Sequence, residues 1–262
     1  MEILGYIASI GIGIVLGILG GGGSILSIPI LVYIFQVDAV LASAYSLFII
    51  GITSMAGAIR KYKDQHVSLK TGSLFGLPSL VSIFVTRKWI VPSIPDIIWT
   101  LDSFVITKRL LILGVFAILM VITSISMIRK QRARDVHDPR FRTFLIILQG
   151  LLIGFLTGLV GAGGGFLIIP ALVLLTGLPF KTAVGTSLIV ISINSLVGFL
   201  GDVMNFSMDW SFLLTITLFA VIGVLIGNKL SKKISHVFLR RAFGWFVLAM
   251  GCLILLKEIV FR

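Results

Sequence analysis

The residues best suited to chemistry in this chain are two glycine runs. Gly20-Gly-Gly-Gly23 leads into Ser24 and Pro29, and Gly161-Ala-Gly-Gly-Gly165 leads into Pro170. Glycine permits dihedrals and close backbone approach that other residues forbid, so several together interrupt a helix. Each proline lacks an N–H, which deprives the carbonyl of Ile25 or Phe166 of its helical partner. Where a half-helix restarts after such a break, free N–H groups and the macrodipole suit an anion. The expected backbone donors are Gly22, Gly23 and Ser24 in the first run and Gly163, Gly164 and Gly165 in the second. Gly13, Gly17, Gly154 and Gly158 have the small-xxx-small spacing of close helix packing and are read that way. No Gly-Lys-Ser/Thr follows either run, which excludes a nucleotide-cradling loop.

Hydroxyl and amide side chains form a second candidate set. Tyr45, Ser46, Thr53 and Ser54 share one apolar stretch, and Thr186, Ser187, Asn194 and Ser195 share another. Ser46 and Thr53 are seven apart, as are Ser187 and Asn194, so each pair lies on one helix face. Facing the breaks, these four would hydrogen-bond an oxyanion yet hold it weakly. The competing reading is interhelical bonding, or a hydroxyl bonded to its own helix carbonyl. No Asp, Glu, Lys or Arg falls well inside a predicted span, which argues against a proton pump built on a buried carboxylate. Backbone-coordinated sodium or gradient-driven flow stays open. His66, His137 and His236 fall in predicted loops without metal-site spacing, so no metal, cofactor or catalytic residue is assigned and the chain is not read as an enzyme.

The elements that position these residues follow from composition. Of 262 residues, 58% are apolar and 12% charged, with mean hydropathy +1.14. Soluble domains carry about 25% charged residues. A single cysteine, Cys252, excludes a disulfide-stapled scaffold. The class is a polytopic, all-α membrane protein, because the apolar runs far exceed the length of barrel strands. Apolar stretches run over 3–19, 24–35, 40–59, 71–86, 109–128, 143–160, 166–177, 181–200, 210–228 and 239–256. Two of them, 24–35 and 166–177, are too short as helices to cross a hydrocarbon core of about 30 Å.

The chain is an internal repeat. Gly13 to Pro29 aligns without gaps on Gly154 to Pro170, an offset of 141 at which Ser46 meets Ser187 and Thr53 meets Asn194. Repeats of 1–128 and 143–262 are joined by a basic cytoplasmic linker, 129–142. The net charge of +12 sits in clusters between apolar runs, which marks cytoplasmic loops rather than nucleic-acid binding. If each glycine-broken pair is a hairpin with no net crossing, each half makes three net crossings and the second half is inverted. All three basic clusters, Arg60 to Lys70, Arg129 to Arg142 and Lys229 to Arg241, then become cytoplasmic, while the loop 201–210 with Asp202 and Asp209 faces outward. The expected fold is two inverted repeats, each a Gly-broken helical hairpin plus three transmembrane helices. Arg87, Lys88, Lys108 and Arg109, on the outer side in this arrangement, run against the charge rule.

At Gly20 to Pro29, Gly161 to Pro170 and Ala183-Val-Gly-Thr-Ser187, the chain resembles the sulfite exporter TauE/SafE family of membrane permeases. The likeness covers nearly the whole chain and occurs twice at matched spacing. It departs at Ala44-Tyr45-Ser46, where the second half has Gly-Thr-Ser, and in the polar insert from Arg87 to Lys108. The resemblance implies a secondary transporter, in the exporting direction, for small anions such as sulfite or sulfonates across a bacterial cytoplasmic membrane. Its partners would be a small anionic substrate and the lipid bilayer, with room for an oligomer. An anion channel and a non-transporting scaffold or sensor are the alternatives.

Overall fold

The computed structural model describes residues 2–101, 104–128, 139–176, 178–230 and 236–259. Among the described residues, ten helical segments correspond to the ten apolar stretches. The first half contains α1 (Glu2–Leu19) and a short broken segment α2 (21–34), which is a 3-10 turn over Gly21–Leu26 that opens into a wide π turn over Ile30–Ile34. It continues with α3 (Ala39–Lys63), α4 (Leu69–Ser93) and α5 (Lys108–Ile128). The second half contains α6 (Pro139–Val160), α7 (Gly165–Thr176), α8 (Phe180–Val203), α9 (Trp210–Leu230) and α10 (His236–Ile259). Among the described residues, six of these, α3, α4, α5, α6, α8 and α9, are long and apolar enough to cross a membrane. Most of the predicted linker, 129–138, lies outside the described residues, as does His137.

The structure adds one element to the insert and corrects two sequence expectations. The insert contains an antiparallel β-hairpin, β1 (Ile97–Leu101) with β2 (Phe104–Thr107), pairing Ile97 with Thr107 and Leu101 with Phe104. Its two strands are rich in β-branched and aromatic residues, which favour extended structure. His236 begins α10 rather than lying in a loop. Charged residues do enter the spans, because α4 runs on to Ser93 and α8 to Val203, carrying Arg87 and Asp202 into the protein interior with both side chains fully buried.

Glycines set the helix contacts. A Cβ on Gly13 would collide with the Ala220 carbonyl of α9, and one on Gly17 with Val224. At the repeat offset, Gly154 meets Ser79 of α4 and Gly158 meets Ile83. Packing α1 on α9 therefore recurs, residue for residue, as packing of α6 on α4. Without hydrophobic drive between helices in lipid, such backbone contact supplies the dispersion that holds them.

Equivalent helices also meet each other. Between α3 and α8, Leu47 touches Gly198, Gly51 accepts a 3.0 Å bond from the Ser192 hydroxyl, and Gly57 faces Leu188. Residue numbers rise on one helix as they fall on the other, so the pair is antiparallel. Gly51 and Ser192 are themselves repeat counterparts. Between α5 and α10, Ala117 and Met120 face Gly251 while Arg109 pairs with Glu258 at 3.1 Å, again antiparallel. Within the first hairpin, Gly5 lies under Phe35 and Gly23 under Leu16, so α2 folds back along α1.

Gly13→Val should leave little monodisperse protein in detergent, because the α9 backbone cannot retreat. Gly11, where an added Cβ meets nothing within 4 Å, should accept Ala with a gain of roughly 0.5–1 kcal/mol. Size-exclusion profiles and thermal melts of the two variants check the contrast.

Candidate functional site

The two breaks approach each other, since the turn Gly21–Leu26 packs against α7, but they differ in construction. In the first, Gly20 has φ +74° and lies against Val184, and Gly23 lies against Leu16. Gly22, Gly23 and Ser24 all fall within the 3-10 turn, with the Gly23 N–H directed to the Gly20 carbonyl at 3.4 Å. The Ser27 hydroxyl bonds the Ser24 carbonyl at 2.7 Å and pairs with the hydroxyl of Ser46 on α3 at 2.5 Å. Ser24, Ser27 and Ser46 are fully buried. The polar atoms at this break therefore answer one another.

The second break is a tighter bend. Gly161, Gly163 and Gly164 all have positive φ, at +81°, +65° and +65°. At Gly163 and Gly164 a side chain would be strained, and a Cβ at Gly164 would also collide with the Thr157 hydroxyl. Gly164 caps α7 by accepting from the N–H groups of Leu167 and Ile168 at 2.9 Å, so the N–H groups of Gly165 and Phe166 stand at the start of α7 without a carbonyl of their own helix.

Around this bend several buried side-chain atoms have no hydrogen-bond partner: the Thr157 hydroxyl beside Gly164, the Ser195 hydroxyl beside Gly163, and two guanidinium nitrogens of Arg87 beside Gly161. The Oδ1 of Asn194 and the Ser54 hydroxyl are likewise unpartnered. Buried polar groups are nearly always paired, so such a concentration calls for a ligand or a functional account.

The remaining predicted residues are placed as follows. The Thr53 hydroxyl bonds the Ile49 carbonyl of its own helix at 2.6 Å, and Ser187 bonds Val184 at 2.8 Å. The amide of Asn194 donates to the Ser79 hydroxyl across α8 and α4 at 2.5 Å. Asn194 also lines a cavity of about 400 Å³ between α4 and α8, with Ser68, Gly72, Gly76, Thr186 and Val190.

The repeat-equivalent groove, between α9 and α3, is filled instead. Tyr45 and Phe48 stand where the cavity has Thr186 and Ile189, and Trp210 and Leu213 stand where it has Leu69 and Gly72. Phe48 packs at a tilt against Phe199, ring centroids 4.9 Å apart, and meets Trp210 edge-on at 6.2 Å, while Tyr45 lies 5.9 Å from Phe212. Both grooves keep one hydrogen bond. The Ser68 N–H donates to the Thr186 hydroxyl at 2.9 Å, and the Asp209 N–H donates to the Tyr45 hydroxyl at 2.8 Å. One backbone arrangement thus carries small residues at one end and aromatic rings at the other.

Arg87 and Asp202 were missed by sequence reading. Nη1 of Arg87 donates to Asp202 Oδ2 at 3.2 Å and to the Ser43 hydroxyl at 2.9 Å. The repeat contains the signal that finds it: the counterpart of Arg87 is Asn228, which lies inside the predicted span 210–228. Asp202 follows Gly201, whose missing side chain admits the Arg87 stem.

A bundle of apolar helices, broken twice near its centre and lined there with unanswered polar groups, has the architecture of a multi-pass membrane transporter. The sulfite exporter TauE/SafE family model matches residues 6–254, and the chain belongs to that family. A probable membrane transporter protein of Xylella fastidiosa (strain 9a5c) is 29% identical over 98% of both chains. The probable membrane transporter protein YunE of Bacillus subtilis (strain 168) is 26% identical over 99% of this chain and 97% of its own. A probable membrane transporter protein of Methanocaldococcus jannaschii is 28% identical over 94% and 93%. No solved structure matches the chain significantly. Family and relatives alike indicate an integral membrane transporter rather than an enzyme.

Because the Thr53 and Ser187 hydroxyls bond only their own helices, Thr53→Val and Ser187→Ala should each cost no more than about 1 kcal/mol. Thermal melts in detergent check this.

Proposed function

We propose that the chain is a secondary transporter that exports small sulfur oxyanions, sulfite or sulfonates, by alternating access around a site at the two glycine breaks. The observation that carries this reading is the second break. There the start of α7 and the unpartnered hydroxyls of Thr157 and Ser195 converge at membrane depth, where irregular backbone persists only if it lines a site or is buried in protein. Free N–H groups at a helix start favour negative charge. Gly22, Gly23, Ser24 and Ser46 form the opposing wall through the packing of the first break on α7, and Gly163, Gly164, Gly165 and Asn194 lie on the substrate side. Thr53 on α3 and Ser187 on α8, the repeat counterparts of Asn194 and Ser46, shape the helices that flank it.

The inverted arrangement is supported by helix direction. A twofold axis in the membrane plane reverses each helix relative to its counterpart, whereas an axis along the membrane normal does not. Repeat counterparts α3 and α8 are antiparallel, as are α5 and α10. Alternating access is supported by the two grooves, one open between α4 and α8 and the other closed by Tyr45, Phe48, Trp210 and Phe212. A groove sealed at one end favours a carrier over a channel. Positive-inside bias sets the basic end of α3, with Arg60, Lys61 and Lys63, at the cytoplasm of a cell's inner membrane.

Purified protein in proteoliposomes should carry sulfite with saturation and countertransport. Gly164→Val should abolish flux with membrane insertion intact, and unchanged flux would sink the assignment. Topology is checked in a Cys252→Ser background, where Asp64→Cys should label from the cytoplasmic face and Asn205→Cys from the opposite one. Both on one face would reject the inverted arrangement.

A further inference from the structure

Among the described residues, Arg87 is the largest fully buried side chain. Its guanidinium is used on one side only: Nη1 holds Asp202 and Ser43, while Nε and Nη2 have no partner. Nε and Nη2 are not two arbitrary atoms. They form one edge of the planar fork, with two parallel N–H donors spaced to meet two oxygens of a single carboxylate, sulfonate or related oxyanion. A buried unpartnered donor is costly, and a charged one more so, which makes a complete unused edge hard to account for by packing alone.

The position of that edge is equally specific. Nη2 lies against Gly161, so close that a Cβ there would collide with it and with Ser43. What covers the fork is therefore glycine backbone rather than a side chain, at the first residue of the bend whose next polar neighbours are the unpartnered Ser195 and Thr157 hydroxyls. Asp202 balances the guanidinium in the absence of solute, which makes a full charge tolerable in the interior. The other half carries no such fork, since the counterparts of Arg87 and Asp202 are Asn228 and Lys61.

We propose that the Nε–Nη2 edge of Arg87, set against the second glycine break, grips two oxygens of the transported anion. It selects oxyanions that offer a pair of coplanar oxygens over spherical halides. The inference rests on the anion-transporter reading and deepens it by naming the selective group. Asp202 is the positioning residue: it holds the other edge of the guanidinium and so aims the free edge at the break. The solute completes a shell that the protein leaves half filled.

The experiment uses full-length protein in detergent and in proteoliposomes, with sulfite, methanesulfonate and chloride as probes of thermal stabilisation and flux. Wild type should be stabilised by sulfite or methanesulfonate beyond chloride at equal concentration. Arg87→Lys keeps the charge and the Asp202 pairing but loses the fork, and should weaken oxyanion binding by roughly 10- to 100-fold while narrowing the preference over chloride. Because single neutralisation of Arg87 would strand Asp202, the double variant R87Q/D202N tests charge removal in a foldable protein and should lose oxyanion binding with an unchanged size-exclusion profile. Asp202→Asn keeps an amide oxygen to hold Nη1 but takes away the balancing charge, so it should lower stability in the absence of solute and enlarge the stabilisation that sulfite confers. If R87K and R87Q/D202N are folded and keep wild-type affinity and selectivity, the pair is a structural clamp and the inference falls while the transporter reading stands. If wild type neither binds nor carries any of the oxyanions, both fall together.

Discussion

The structure depends on one constraint: at membrane depth, every interrupted backbone and every polar side chain must find its partner within the protein. A helix that breaks in lipid has no water to accept its orphaned groups, so a break persists only where neighbouring elements are shaped to receive it. Here the glycine-lined contacts do that shaping. α1 lies on α9 and α6 on α4 at backbone distance, which draws the two bends inward and leaves α2 and α7 enclosed by α3 and α8. The first bend is then answered by Ser27 and Ser46. The second retains unanswered donors, and it is there that a solute has something to gain.

Duplication makes each contact serve twice. Gly13 on Ala220 and Gly154 on Ser79 are one contact repeated at the offset of 141, and Gly51 with Ser192 is a contact between a position and its own counterpart. A symmetric backbone alone would be indifferent to which end is open. Side chains remove that indifference. Rings of Phe48, Phe199 and Trp210 fill one groove, whereas Gly72 and Gly76 leave the other empty. Aromatic pairs gain stabilisation beyond their burial, about 0.5–1.5 kcal/mol each, which holds the aromatic end closed in this structure. The difference between the ends is thus written in residue size on a shared frame.

Much of this was legible from residue types and spacing. Glycine runs followed by proline located both breaks, the ungapped alignment located the repeat, and the four-residue spacing of Gly13, Gly17, Gly154 and Gly158 identified the packing faces that the helices use. The hydroxyls were less legible. A Ser or Thr in a helix has its own i−4 or i−3 carbonyl within reach, and Thr53 and Ser187 take it. Ser195 and Thr157, of the same types on similar apolar backgrounds, do not. Nothing in the local sequence separates these cases, because the choice rests on which neighbour lies opposite after packing. The β-hairpin at Ile97–Thr107 escaped for a related reason, since its strands are too short to stand out as a span and their pairing is set across the turn.

Arg87 shows how a charge-counting rule fails. Ending a span at the first charged residue assumes that a charge inside lipid-length sequence has no partner, and hydropathy cannot see a partner over a hundred positions away. Asp202 and Ser43 supply it, so the pair enters the interior as a nearly neutral dipole rather than as two ions. Its geometry has a mechanical consequence. Arg87 and Ser43 belong to the first half, whereas Asp202 and Gly161 belong to the second, and the four meet at the same end of α3 and α8 as the aromatic cluster. Any rocking of one half against the other must therefore either carry this pair as a pivot or pull it apart at the cost of exposing two buried charges. A solute with negative oxygens on the free edge of the guanidinium would lower that cost, because the charge then keeps a partner as the halves separate.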